Sequence, residues 1–157
     1  MDHDAGMIGW RQVLVPVRGG PDATVRAQLA LRLAASTGAT ATFLYVLDDR
    51  LLGDPDAGLV REQLHKQLTQ EGEAVLAGIG RLEEAQGITY LTRIASGKVV
   101  ETIVRVAQEI GADLIVVGSH RQTWLGRLVG GSVAEMVLRA ASCAVLAVPP
   151  AAGLGRR

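Results

Sequence analysis

Cysteine is nearly absent: the 157-residue chain carries one, Cys143. A single thiol excludes a disulfide framework within the chain and any multi-cysteine metal site. An excess of one charge sign is absent as well. Lys+Arg and Asp+Glu each number 16, for a formal net charge of zero; without a cationic excess, neither nucleic acid nor an acidic membrane is expected as a partner. The apolar runs fall far short of a membrane span. Internal repeats and low-complexity blocks are missing. The acidic opening Met1-Asp2-His3-Asp4 lacks the basic region and apolar stretch of a signal peptide. A soluble cytoplasmic domain is the expectation.

What is present is core material. Hydrophobic residues make up 48% and charged residues 20%, too apolar a mixture for a disordered chain. The length suits one domain with a buried core. That domain is expected over residues 10–149. The ends, 1–9 and 150–157, are short and polar or rich in Pro, Ala and Gly, bury little, and are expected to be flexible.

Apolar runs alternate with helical patterns. Val13-Leu14-Val15-Pro16-Val17 reads as a buried strand with Pro16, which has no ladder donor, near its end. A helix follows over 22–37, with Val25, Leu29, Ala30 and Leu33 at helical spacing and Gly38 as its stop. Residues 40–47 (TATFLYVL) form a second strand. After an acidic loop over 48–58, Leu64, Leu68, Val75, Ile79 and Leu82 mark a long amphipathic helix over 59–85. A third strand is expected over 88–94. Ser96 is placed to cap a helix over 98–110, with Val99, Ile103, Val106, Ala107 and Ile110 inward and Glu101 spaced to pair with Arg105. Residues 113–118 (DLIVVG) are a fourth strand, Ser132-Val133-Ala134-Glu135 is a capping-box pattern opening a helix to about 141, and a fifth strand spans Ala144–Val148.

Strands alternating with helices demand crossover connections, so the fold class is α/β: a parallel sheet covered on both faces. Ligands of such sheets gather beyond the carboxyl ends of the strands, at the switch point. Two Gly-rich stretches, 18–21 and 118–131, both follow strands. Small residues opening a helix present backbone N–H groups and a favourable dipole to an anion. Gly131-Ser132 before the helix has that form, although taken alone Ser132 reads as a cap.

Gly118-Ser119-His120-Arg121, nine further residues and Gly131-Ser132 resemble the pattern G-x-x-G-(nine residues)-G-[S/T] of the universal stress protein family. VLVPVRG at 13–19, FLYV at 43–46, ADLIVVGSH at 112–120, and GSVAE with SCAVLAVP at 131–149 are similar to that family's strands and last helix. The resemblance covers roughly residues 11–149 and is most specific over 112–149. It implies a five-stranded α/β/α sandwich of the adenine nucleotide alpha-hydrolase-like type. It also implies a small non-catalytic stress-linked regulator, a homodimer through the last strand, and ATP as the ligand of some members. Carried over by position, Pro16 and Val46 would flank adenine and ribose, Val117, Gly118, Gly131, Ser132 and Val133 would line the phosphate path, and Ser119 is a further possible nucleotide-binding residue.

Two positions depart from the pattern. Arg18 stands where the resemblance calls for Asp, and Arg121 where it calls for a second Gly. The first removes a carboxylate that would help hold ribose or a metal. The second puts a long side chain where backbone should approach phosphate. Both argue against ordinary Mg-ATP binding, yet guanidinium groups suit phosphates. The pocket is therefore expected either to be filled or weakened by its own arginines, or to take an anion without the usual Mg²⁺ geometry. No metal site is expected.

An enzyme alternative lies in Gly19-Gly20-Pro21-Asp22, similar to the S-G-G-x-D-[S/T] loop of ATP pyrophosphatases, though Arg18 and Ala23 break both flanks and the same residues punctuate many strand-to-helix turns. A ligand-free dimeric scaffold acting through an unknown protein partner is the third reading. His3, His65 and His120 are too scattered for a metal pattern. Cys143 reads as a packed small hydrophobe. Asp48, Asp49, Asp54 and Asp56 read as a solvated acidic loop, with cation binding as the alternative. Trp124 is placed to cover the pocket, pack on a partner or pack within its own loop. The last strand is expected at a sheet edge, where an apolar edge invites pairing with a second copy.

Overall fold

The computed structural model describes residues 9–119 and 132–150. Five strands form one parallel sheet, ordered β3-β2-β1-β4-β5: β1 (Gln12–Pro16), β2 (Thr40–Asp48), β3 (Tyr90–Gly97), β4 (Leu114–Gly118) and β5 (Ala144–Val148). Helices α1 (Pro21–Thr37) and α2 (Leu59–Ile79) cover one face, α3 (Val99–Ile110) and α4 (Val133–Ala140) the other. This is the expected five-stranded three-layer sandwich.

Strand alternation divides the core. Val13, Val15, Phe43, Tyr45 and Val116 point toward α1 and α2, while Leu14, Leu44, Ile115 and Val117 point toward α3 and α4. Phe43, fully buried, meets the Tyr90 ring edge-on at 5.8 Å between centroids. Such a pair adds about 1 kcal/mol beyond its area burial. Asp113 ties the start of the sheet by accepting hydrogen bonds from the backbone N–H groups of Arg11 and Gln12.

Several local expectations are corrected. In α1, Ala30 is buried and Val25 and Leu33 pack against the core as expected, but Leu29 is exposed, and Ala23, Ala27, Leu31 and Ala34 carry the rest of the buried face. Small side chains let helix and sheet approach closely. Gly38 does end α1, in the left-handed conformation, its N–H donating to Ala34 O. Helix α2 stops at Ile79 rather than 85: the chain turns at Gly80, whose α-carbon sits under the Tyr90 hydroxyl, and continues as a short 3-10 turn, Glu83–Ala85. Strand β3 accordingly begins at Tyr90. Ser96 lies within it and caps nothing; Lys98 precedes α3 without a side-chain cap. Glu101 pairs with Lys98, and Arg105 with Glu109, in place of one Glu101–Arg105 pair. The expectations for the chain ends fall, apart from Gly9 and Pro150, outside the described residues.

Candidate functional site

The chain runs β1, β2, β3 toward one edge, then crosses back to β4 and β5 on the other side of β1. The switch point therefore lies between β1 and β4, and a cleft opens beyond their carboxyl ends. Its cavity volume is about 130 Å³. The inner wall is apolar: Pro16, Leu44, Val46, Val117 and, from α3, Ile103. The polar lining is cationic, with Arg18, Arg26 and Arg50 around one carboxylate, Asp48.

Asp48 ends β2 and is 5% exposed. Its Oδ1 accepts from the Arg50 backbone N–H at 3.0 Å and from Arg50 Nε at 3.0 Å, and its Oδ2 accepts from Arg50 Nη2 at 2.7 Å. The side-chain bond to Arg50 holds this carboxyl below the ordinary carboxylate range; burial opposes the shift and Arg18 adds to it. Asp48 is thus not part of a solvated acidic loop: it caps the 3-10 turn Asp49–Leu52 and is matched by one guanidinium.

Arg26 comes from α1. A Cβ at Gly118 would stand 3.1 Å from Arg26 Cζ, with Nη1 nearer still. The Arg26 Nε is enclosed and has no hydrogen-bond partner among the described residues. Burial lowers the pKa of this guanidinium, against the pull of Asp22 one turn earlier.

Of the residues singled out in the sequence, Pro16, Arg18, Val46, Val117, Gly118 and Val133 line the cleft together. Ser119 and Ser132 are not among the lining residues. The Ser119 N–H donates to Val148 O, and Ser132 Oγ accepts from the Glu135 N–H at 3.2 Å as the cap of α4. Arg121, Gly131, His120 and Trp124 lie outside the described residues. The turn Gly19-Gly20 faces a different hollow, of about 200 Å³, between α1 and α2, while Arg18 borders both. Gly20, at φ 105°, adopts a conformation that favours glycine, and Pro21 opens α1, so the pair serves the strand-to-helix turn.

Sequence reasoning missed Arg26, Asp48 and Arg50 as cleft residues. Arg26 lies three residues after Ala23 and four before Ala30, both buried, so an alanine contact face on α1 would have been the signal for it.

The lining fits a divalent cation poorly. Asp48 is the one carboxylate among the described lining residues, and Arg50 engages both of its oxygens. Among the described residues no group of three His, Cys, Asp or Glu side chains could hold a metal ion, and no helix is long and apolar enough to cross a membrane.

Known proteins share this architecture. The universal stress protein MJ0531 of Methanocaldococcus jannaschii is 31% identical over 140 residues, spanning 88% of this chain and 82% of that protein. The crystal structure of a universal stress protein family member from Burkholderia pseudomallei superposes with a TM-score of 0.73 at 31% identity, covering 92% of this chain and 99% of that one. A universal stress protein in complex with cAMP shares the fold at a TM-score of 0.62 and 24% identity, over 91% of this chain and 99% of that one. The sequence profile of the Universal stress protein family matches residues 9–149, and the chain belongs to that family.

Proposed function

We propose that this protein is a non-catalytic stress-response regulator of the cytoplasm whose cleft takes an anionic small molecule of adenine-nucleotide type and is weakened for Mg-ATP. The carrying observation is the composition of the cleft: an apolar slot suited to a flat ring, rimmed by Arg18, Arg26 and Arg50 with Asp48 already engaged. Guanidinium groups favour phosphate oxygens and repel a metal ion. The described lining residues include no Ser, Cys, His or Lys, and so no nucleophile or free general base. That supports binding over turnover, and over the pyrophosphatase-type alternative, whose Gly-Gly turn faces the other hollow. The cAMP complex of a protein with the same fold is consistent with an adenine ligand here.

A homodimer through β5 is part of the same reading. β5 is an edge strand, and Leu146 on it is 40% exposed. Zero net charge supports the expectation that nucleic acid is not a partner.

The test is charge replacement. Arg18→Asp combined with Arg121→Gly is expected to strengthen ATP binding in the presence of Mg²⁺. Unchanged ATP affinity in that double variant would overturn the reading.

A further inference from the structure

Resting on that reading of the cleft, we propose that Arg26 is its phosphate-reading residue and makes it selective for a metal-free ligand with one phosphate, of the nucleoside monophosphate class. Three observations meet at this side chain. It reaches the cleft from α1 rather than from a Gly-rich loop. Its guanidinium lies against Gly118, the one position on the end of β4 where a missing Cβ leaves room for it. Its Nε is enclosed with a hydrogen bond unmade among the described residues.

Arg26 is half-buried, but an enclosed guanidinium nitrogen without a hydrogen bond is costly, and an oxyanion in the cleft would complete it. An oxyanion beside Gly118 would supply charge-assisted bonds to this guanidinium. Asp22, one turn back on the same helix, opposes the desolvation of Arg26.

Charge limits the ligand further. Asp48 matches Arg50, which leaves Arg18 and Arg26 as the cations of the described lining that face an incoming group. Two cations suit the dianion of one phosphate monoester. A magnesium ion would add charge of the same sign at that spot and would find the oxygens of Asp48 occupied.

Calorimetry on the full chain tests this with AMP, adenosine and ATP, each with and without Mg²⁺, for the wild type, Arg26→Gln and Arg26→Lys. AMP is expected to bind the wild type more tightly than adenosine does, and equally with or without Mg²⁺. Arg26→Gln is expected to weaken AMP roughly tenfold or more and to leave adenosine unchanged. Arg26→Lys restores only part of the loss, because it lacks the planar fork. Ligand-free Arg26→Gln should melt no lower than the wild type, since the enclosed nitrogen without a hydrogen bond is gone. AMP should raise the melting temperature of the wild type more than that of the variant.

Equal AMP affinity in Arg26→Gln, Mg²⁺-dependent AMP binding, or a lower melting point of the ligand-free variant would overturn the assignment. Adenosine binding that persists alongside any of those results leaves the reading of the cleft standing. A wild type that binds neither AMP nor adenosine overturns both.

Discussion

The guanidinium of Arg26 and the backbone of Gly118 occupy adjoining space, so that a Cβ on residue 118 would come within 3.1 Å of Arg26 Cζ. A glycine at the end of β4 thereby lets a long cation from α1 lie across the strand end. Gly118→Ala is expected to push that guanidinium aside without unfolding the chain, because the obstructing atoms are the far end of a flexible side chain. Stability should fall by less than about 1 kcal/mol, measured by urea denaturation, while AMP affinity falls roughly tenfold. A large stability loss with unchanged affinity would contradict this account of Gly118.

Gly72 and Tyr45 make a second such contact, with the opposite consequence. A Cβ on Gly72 would stand 2.6 Å from Tyr45 Cδ1, and the Tyr45 ring is buried in the core that α2 covers. Overpacking of this kind costs about 1–3 kcal/mol, against a gain of about 1 kcal/mol from replacing a helical glycine by alanine. Gly72→Ala is therefore expected to lower the urea midpoint. A higher midpoint would mean that α2 can lift from the sheet at little cost.

The order of elements was legible because it rests on long-range patterning that few residues can break. The run 114–118 is apolar on both faces, Gly38 stops α1 by a conformation that glycine tolerates, and Ser132 caps α4. The misreadings were local and share a cause. Leu29 shares the helical spacing of Val25 and Leu33, yet it is exposed while the small side chains Ala23, Ala27, Ala30 and Ala34 are buried. The α2 pattern carried on past Ile79 because Leu82 packs on the same core from a separate turn. At the site, residues on strand ends were legible by position. Arg26 and Arg50 were not, because their place in the cleft depends on helix packing and on the partner of Asp48, which spacing alone does not encode.

The Asp48–Arg50 pair gives an acid-dependent contribution to stability. The folded-state pKa of Asp48 is depressed, chiefly by its bond to Arg50, below the unfolded value of about 3.9. The contribution is therefore present above that pH and is lost as the pH falls through the folded-state value. Asp48→Asn is expected to melt lower than the wild type at neutral pH, with the two melting curves converging as the pH drops below about 4. Melting temperatures that stay equally separated down the acid range would show that Asp48 contributes through its shape alone.

Leu146 sits on β5 with strand pairing on one side only. Light scattering at high micromolar concentration is expected to show a dimer for the wild type. Leu146→Lys is expected to give a monomer, since a lysine on an edge strand opposes pairing. A monomeric wild type at that concentration would remove β5 as an interface between copies.

Calorimetry of the wild-type protein with ATP, in the presence and absence of Mg²⁺, bears most directly on whether guanidinium groups have displaced metal-nucleotide chemistry from this cleft. The account predicts weak ATP binding that Mg²⁺ does not improve. Clear micromolar binding that requires Mg²⁺ would contradict it.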